Sequence, residues 1–160
     1  MFRNVLVAID GSEHSEVALK EAGDLAAAAQ AKLTLITCFK VDTNPAVSAW
    51  STGMTVDEMN VTHDIRRRIA EHAAAFMERA RSQVPPGVSC ETLVVEDHPP
   101  QGILAQIRAG GHDLVVLGSR GHGPISSLFL GSVSQNVLHH SPVPVLIVRI
   151  AHDAAPESSG

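Results

Sequence analysis

The chain has 160 residues, a formal net charge of −5, 44% hydrophobic residues and 18% charged residues. That length suits one domain with a sizeable core, and the composition excludes a disordered or fibrous chain. The acidic balance argues against a dedicated nucleic-acid surface, and no apolar run approaches the roughly 20 residues needed to span a bilayer.

The opening residues run straight into an apolar segment, with no signal peptide, so a cytoplasmic location is expected. Phe2–Ile9 (FRNVLVAI) ends in unbroken apolar residues, the pattern of a buried parallel strand. Asp10-Gly11-Ser12 reads as a turn with Ser12 as helix N-cap. Glu13–Gln30 follows as an Ala-rich helix, with Ala18, Leu19, Ala22 and Leu25 at helical spacing. Lys32–Phe39 (KLTLITCF) is a second strand. Lys40–Asn60 carries Pro45, Gly53 and the only tryptophan, Trp50. Connections this long inside compact domains are often functional. Two readings stand there: a lid with Trp50 near a ligand, or a surface excursion with Trp50 packed elsewhere.

Val61–Val84 has Ile65, Ile69, Ala73, Phe76 and Ala80 on one helical face, and Pro85-Pro86-Gly87 stops it. Its basic run, Arg66-Arg67-Arg68, reads as a solvated face. Val88–Glu96 is a third strand, Pro100–Ala109 a short helix and Asp113–Leu117 a fourth strand. A helix over Ser132–His140 and a strand over Pro142–Val148 complete the alternation. Residues 1–150 are taken as the domain and 151–160 as a loose tail. Cys38 ends one strand and Cys90 begins another, so parallel neighbours hold the thiols at opposite edges, both reduced. Nine histidines are scattered without the spacing of metal ligands, so no protein-only metal site is expected. His139 and His140 are assigned to the last helical turn, complementing its dipole.

Strands alternating with helices imply an α/β fold: an open parallel sheet of five strands, helices on both faces. Such sheets bind ligands beyond the carboxyl ends of their strands, where strand order reverses. Two loops reach that place, Asp10-Gly11-Ser12 and the stretch GSRGHGPISSLFLGSVSQN from Gly118 to Asn136. The second combines Gly118, Gly121 and Gly131 with Ser132 and Ser134 at a helix start. Glycine amides and an open helix N-terminus offer a phosphate chain many donors without steric bulk. Arg120 and His122 are the nearby side chains able to supply positive charge. The competing reading is a surface loop whose glycines only make turns. The loop is neither a Walker A loop, lacking Gly-Lys-[Ser/Thr], nor a G-x-G-x-x-G dinucleotide fingerprint.

The spacing Gly118-x2-Gly121-x9-Gly131-Ser132 resembles the nucleotide-binding signature of the universal stress protein family. The resemblance extends from about Phe2 to Arg149, through VLVAIDGSEHS, DLVVLGSRG and SPVPVLIVR. It implies strand order 3-2-1-4-5 and membership of the ATP-binding subgroup. By position it places Asp10 at the ribose and Ala8, Ile9 and Cys38 at adenine. Leu117, Gly118, Gly121, Gly131, Ser132 and Val133 would cradle ribose and phosphates. Two departures stand out: many members have proline where Ala8 stands and arginine where His122 stands.

A carboxylate facing triphosphate is repelled, so Asp10 is expected at hydroxyls or at a Mg²⁺ carried by ATP; the alternative is a turn residue or cap. No G-x-S-x-G elbow and no water-positioning residue is visible, so binding with at most slow hydrolysis is expected. Some members of the family autophosphorylate, which makes Ser119, Ser126, Ser127 and Ser132 candidates. The resemblance also implies a homodimer through the fifth strand at Val145–Val148, an apolar edge where Pro142 and Pro144 remove donors. The functional expectation is an ATP-dependent regulatory stress protein read by an unidentified protein partner. Alternatives are a cyclic-AMP binder, a weak ATPase or autophosphorylating protein, and a nucleotide-free dimeric module.

Overall fold

Five parallel strands pair in the order β3-β2-β1-β4-β5, in a computed structural model that describes residues 1–41, 56–121 and 130–150. The strands are β1 Asn4–Ala8, β2 Lys32–Phe39, β3 Cys90–Glu96, β4 Leu114–Gly118 and β5 Val145–Val148. The helices are α1 Glu13–Ala29, α2 Val56–Arg81, α3 Pro99–Ala109 and α4 Ser132–His140. Side chains of 56–62 are outside the description, as are Trp50, most of the Lys40–Asn60 connection, His122, Ser126, Ser127 and the 151–160 tail.

The two faces of the sheet follow from strand alternation. Val5 and Val7 of β1 pack with Leu33 and Leu35 of β2 under α1 and α2, where Ala18, Ala22, Met77 and Ala80 close the layer. Leu6, between them, faces the other way with Ile36, Val115 and Leu117, beneath Ile103 and Ile107 of α3 and Val137 of α4. Because the central strands are covered on both faces they read as continuous apolar runs. Each fully buried Leu, Ile or Val contributes about 1.5–3 kcal/mol.

Local rules set the element ends. Ser12 caps α1: its Oγ accepts from Ser15 N at 3.2 Å. Gln30 ends that helix in the left-handed region at φ 53°. The long helix begins at Val56 rather than Val61, since no breaker separates Val56 from the apolar face. It stops at Arg81, beyond which Gln83 and Val84 donate to Ala80 and Arg81 in the tighter i to i−3 pattern. β5 begins at Val145 rather than Pro142, because neither Pro142 nor Pro144 has an N–H for the ladder. The carbonyl of Pro144 still accepts from Val115 N at 3.1 Å.

Cys38 pairs with Val95 while Cys90 pairs with Leu33, so the thiols lie at opposite edges of the sheet and both are free. Arg66, Arg67 and Arg68 are exposed; Arg66 meets Glu96 at 3.0 Å and Arg67 meets Asp64 at 3.4 Å. His140 bonds the Asn136 carbonyl at 2.8 Å in the last turn of α4. No helix among the described residues is long and apolar enough to cross a membrane.

Candidate functional site

The strand order reverses between β1 and β4: the chain leaves β1 toward β2, and β4 lies on β1's other side. Beyond their carboxyl ends a cleft encloses about 280 Å³, at the small end of the roughly 300–1,000 Å³ typical of ligand sites. Twelve of the thirteen residues singled out from sequence line it: Ala8, Ile9, Asp10, Cys38, Leu117, Gly118, Arg120, Gly121, Gly131, Ser132, Val133 and Ser134. The thirteenth, His122, lies outside the described residues.

One end of the cleft is apolar, built from Ile36 and Cys38 of β2, Ile103 of α3, and Leu117. The Cys38 thiol packs on Gly102 of α3, where a methyl group would come within 2.8 Å of Sγ. Burial, reinforced by the Asp97 carboxylate, pushes that thiol up to about 11, so it stays protonated and apolar at neutral pH. The other end is polar. Gly131 is the N-cap of α4 with no capping side chain, and its carbonyl takes the first helical bond, from Gln135 N at 2.9 Å. The amides of Ser132, Val133 and Ser134 therefore lack intrahelical acceptors.

The glycines serve close approach rather than unusual backbone angles. The described glycines at positive φ are Gly11, Gly87 and Gly111, not those of the cleft. A β-carbon on Gly121 would stand 2.6 Å from Asp10 Oδ2, and one on Gly131 would stand 3.3 Å from the Arg120 α-carbon. The first would fill the space toward Asp10, and the second would press on the backbone of Ser119 to Gly121. Asp10 forms the opposite lip; its Oδ1 accepts from Ser12 N at 2.9 Å in an Asx turn, and its own N–H donates to Ser15 Oγ at 3.3 Å. The chain thus folds Asp10 into a turn while keeping the carboxylate at the rim.

Four lining residues escaped the sequence reading: Ser15, Ile36, Pro99 and Ile103. Ile36 was reachable, since it lies two residues before Cys38 on the same strand face. Pro99 and Ile103 arrive through the packing of α3, which no local pattern announces. Ser132 and Ser134 part company: Ser132 is exposed in the cleft, whereas the Ser134 hydroxyl is buried and donates to the Gly118 carbonyl at 2.7 Å. Among the described residues no group of three or more His, Cys, Asp or Glu is placed to hold a metal ion.

A parallel sheet of this order, with a cleft at its switch point lined by a helix start and apolar side chains, defines an open doubly wound α/β protein. The chain belongs to the universal stress protein family, whose model matches residues 1–149. It is 36% identical over 151 residues to universal stress protein YxiE of Bacillus subtilis, covering 93% of this chain and all of that one. Universal stress protein UspA from Lactobacillus plantarum shares the fold, with TM-score 0.75, 24% identity, and 92% and 97% of the two chains covered. A universal stress protein solved in complex with cAMP superposes with TM-score 0.66 at 25% identity, over 92% of this chain and 97% of the other.

Proposed function

We propose that this chain binds ATP in the carboxyl-edge cleft and acts as a nucleotide-dependent regulatory protein of the cytoplasm. The observation that carries the reading is the pairing of an apolar slot with uncapped α4 amides in one cleft. Adenine enters the slot between Ile36, Cys38, Ile103 and Leu117, and the phosphates turn toward Gly131 and Ser132. The dipole of α4 and the unpaired amides favour negative charge there. Arg120 adds a cation on the same lip. Glycine at 121 and 131 keeps that passage free of side chains, and glycine at 118 lets β4 end against the first turn of α1.

Asp10 at the opposite rim receives the ribose hydroxyls. Its single carboxylate also suits a Mg²⁺ that reaches the protein on the phosphates, since Mg²⁺ typically takes one or two carboxylates plus phosphate oxygens. In this reading the state of the nucleotide rather than its turnover is the signal. The exposed edge of β5 at Val145–Val148 is where a second copy pairs, and a protein partner reads the loaded form.

Cyclic AMP is the second reading, favoured by its presence in a structurally similar family member. It needs the slot and the ribose lip but only one phosphate contact. Calorimetric titration of nucleotide-stripped protein with Mg-ATP and with cyclic AMP, alongside Gly131→Val, separates the readings. Saturable ATP binding lost in Gly131→Val supports the ATP site. Binding of cyclic AMP alone supports the second reading, and no heat with either nucleotide refutes both.

A further inference from the structure

Ser119 does not line the cleft, yet all three of its polar groups are committed, each to a different element. Its N–H donates to the Val148 carbonyl of β5 at 2.8 Å. Its carbonyl accepts from Gly131 N, at the start of α4, at 2.8 Å. Its hydroxyl meets Nδ1 of His14, in the first turn of α1, at 3.0 Å. The residue is only 4% exposed, so these bonds are made away from bulk water. Immediately before it, Gly118 lies against the same helix turn: a β-carbon there would stand 2.7 Å from the carbonyl carbon and oxygen of His14. Gly118 also accepts the Ser134 hydroxyl.

The end of β4 is therefore a post clamped between α1 and α4. The glycine lip of the cleft leaves from this post, and the Asp10 lip leaves the end of the neighbouring strand β1. One carries Arg120 and Gly121. The other, Asp10 to Ser12, runs directly into the helix turn that holds His14. The His14–Ser119 bond ties them together across 105 residues of sequence. Gly121 and the Asp10 carboxylate face each other so closely that a methyl group does not fit. Where the Asp10 carboxylate stands over the glycine lip follows from the relative position of the two lips.

We infer that His14 is a positioning residue for the nucleotide site: through Ser119 it fixes the distance between the Asp10 lip and the glycine lip, and with it nucleotide affinity. This rests on the nucleotide reading of the cleft. It gives Ser119 the role of an anchor, with its hydroxyl held under the loop by the imidazole. Histidine suits the position because Nδ1 reaches from the first helical turn to a buried hydroxyl. Asparagine presents a polar atom at nearly the same distance from the backbone, whereas alanine presents none.

The test is nucleotide titration of the full chain as wild type, His14→Ala, His14→Asn, Ser119→Ala and the His14→Ala/Ser119→Ala double variant, with thermal melts run in parallel. A hydrogen bond of ordinary strength predicts roughly three- to tenfold weaker Mg-ATP binding in each alanine variant. The double variant is expected to bind no more weakly than the weaker single variant, because both remove the same bond. His14→Asn is expected within about twofold of wild type, a rescue that helix packing alone does not produce. Wild-type affinity in His14→Ala, or additive losses in the double variant, overturns the inference. Should His14→Ala fail to fold, Ser119→Ala, which removes only a hydroxyl, carries the test: wild-type affinity there overturns it equally. Absence of binding in the wild type refutes the nucleotide reading itself and is visible before any variant is compared.

Discussion

Gly118→Ala puts the packing at the switch point under direct strain. The new methyl carbon would sit 2.7 Å from the carbonyl carbon and oxygen of His14 and 2.9 Å from its β-carbon. Ordinary contact between such atoms begins near 3.5 Å. Either α1 or β4 must move by most of an ångström, and neither is free. The first turn of α1 is fixed by the Ser12 cap, and β4 is paired on both sides, with β1 and β5. Overpacking of this kind typically costs about 1–3 kcal/mol, and the upper half applies because the obstructing atoms are backbone. The loss of glycine's flexibility in the unfolded chain offsets roughly 0.5–1 kcal/mol. The net is about 1–2.5 kcal/mol, equivalent to a melting temperature lower by roughly 2–10 °C in a domain of this size. Calorimetric or circular-dichroism melts check it. A variant melting within 1 °C of wild type would mean that α1 and β4 are not in this contact and that the end of β4 is not clamped between α1 and α4.

Gly121→Ala should behave differently, because the atom it meets is the tip of an exposed side chain, Asp10 Oδ2. We expect a stability change below about 1 kcal/mol but at least a tenfold loss of nucleotide affinity as the carboxylate is pushed off its lip; comparing melts with titrations separates the two. Burial holds the His112 imidazole below its ordinary value, so its folded form resists protonation while the unfolded chain protonates near pH 6.5. The stability it lends is present above pH 6.5 and is lost as pH falls from there toward the lower folded value. His112→Gln should flatten that part of a pH series of denaturant midpoints, and an unchanged slope counts against it. Cys38, held protonated by burial, should react with iodoacetamide at pH 8 at least tenfold more slowly than a free thiol, and still more slowly with Mg-ATP present. Mass-spectrometric labelling reads both, and nucleotide-independent alkylation would exclude Cys38 from the ligand site.

Much of this architecture is written locally. Lys32–Phe39 and Ser132–His140 have the same bounds in sequence and structure, because a turn residue or cap brackets each apolar pattern. The elements that open at prolines differ in their first residue. The ladder of β5 waits until Val145, since prolines 142 and 144 supply no donor, and α3 opens on Pro99 itself, a residue suited to the first helical turn. The cleft was legible where it is built from strand ends and glycine loops. It was illegible where α3 contributes, because Ile103 belongs to the site only through the closeness of Gly102 to Cys38. The role of Ser119 was also hidden. A serine in a glycine-rich loop reads as a surface hydroxyl, and only the fold brings His14 to it.

The most direct test of the central claim is where a nucleotide perturbs the chain. In a titration of isotope-labelled, nucleotide-stripped protein with Mg-ATP, followed by backbone amide shifts, saturable changes are predicted at Asp10, Gly118 to Gly121 and Gly131 to Ser134. Amides at the opposite edge of the sheet, such as Gln30, Gly87 and Gly111, are predicted to stay in place. Saturable shifts confined to that opposite edge, or none at any concentration up to the millimolar range, would contradict the account.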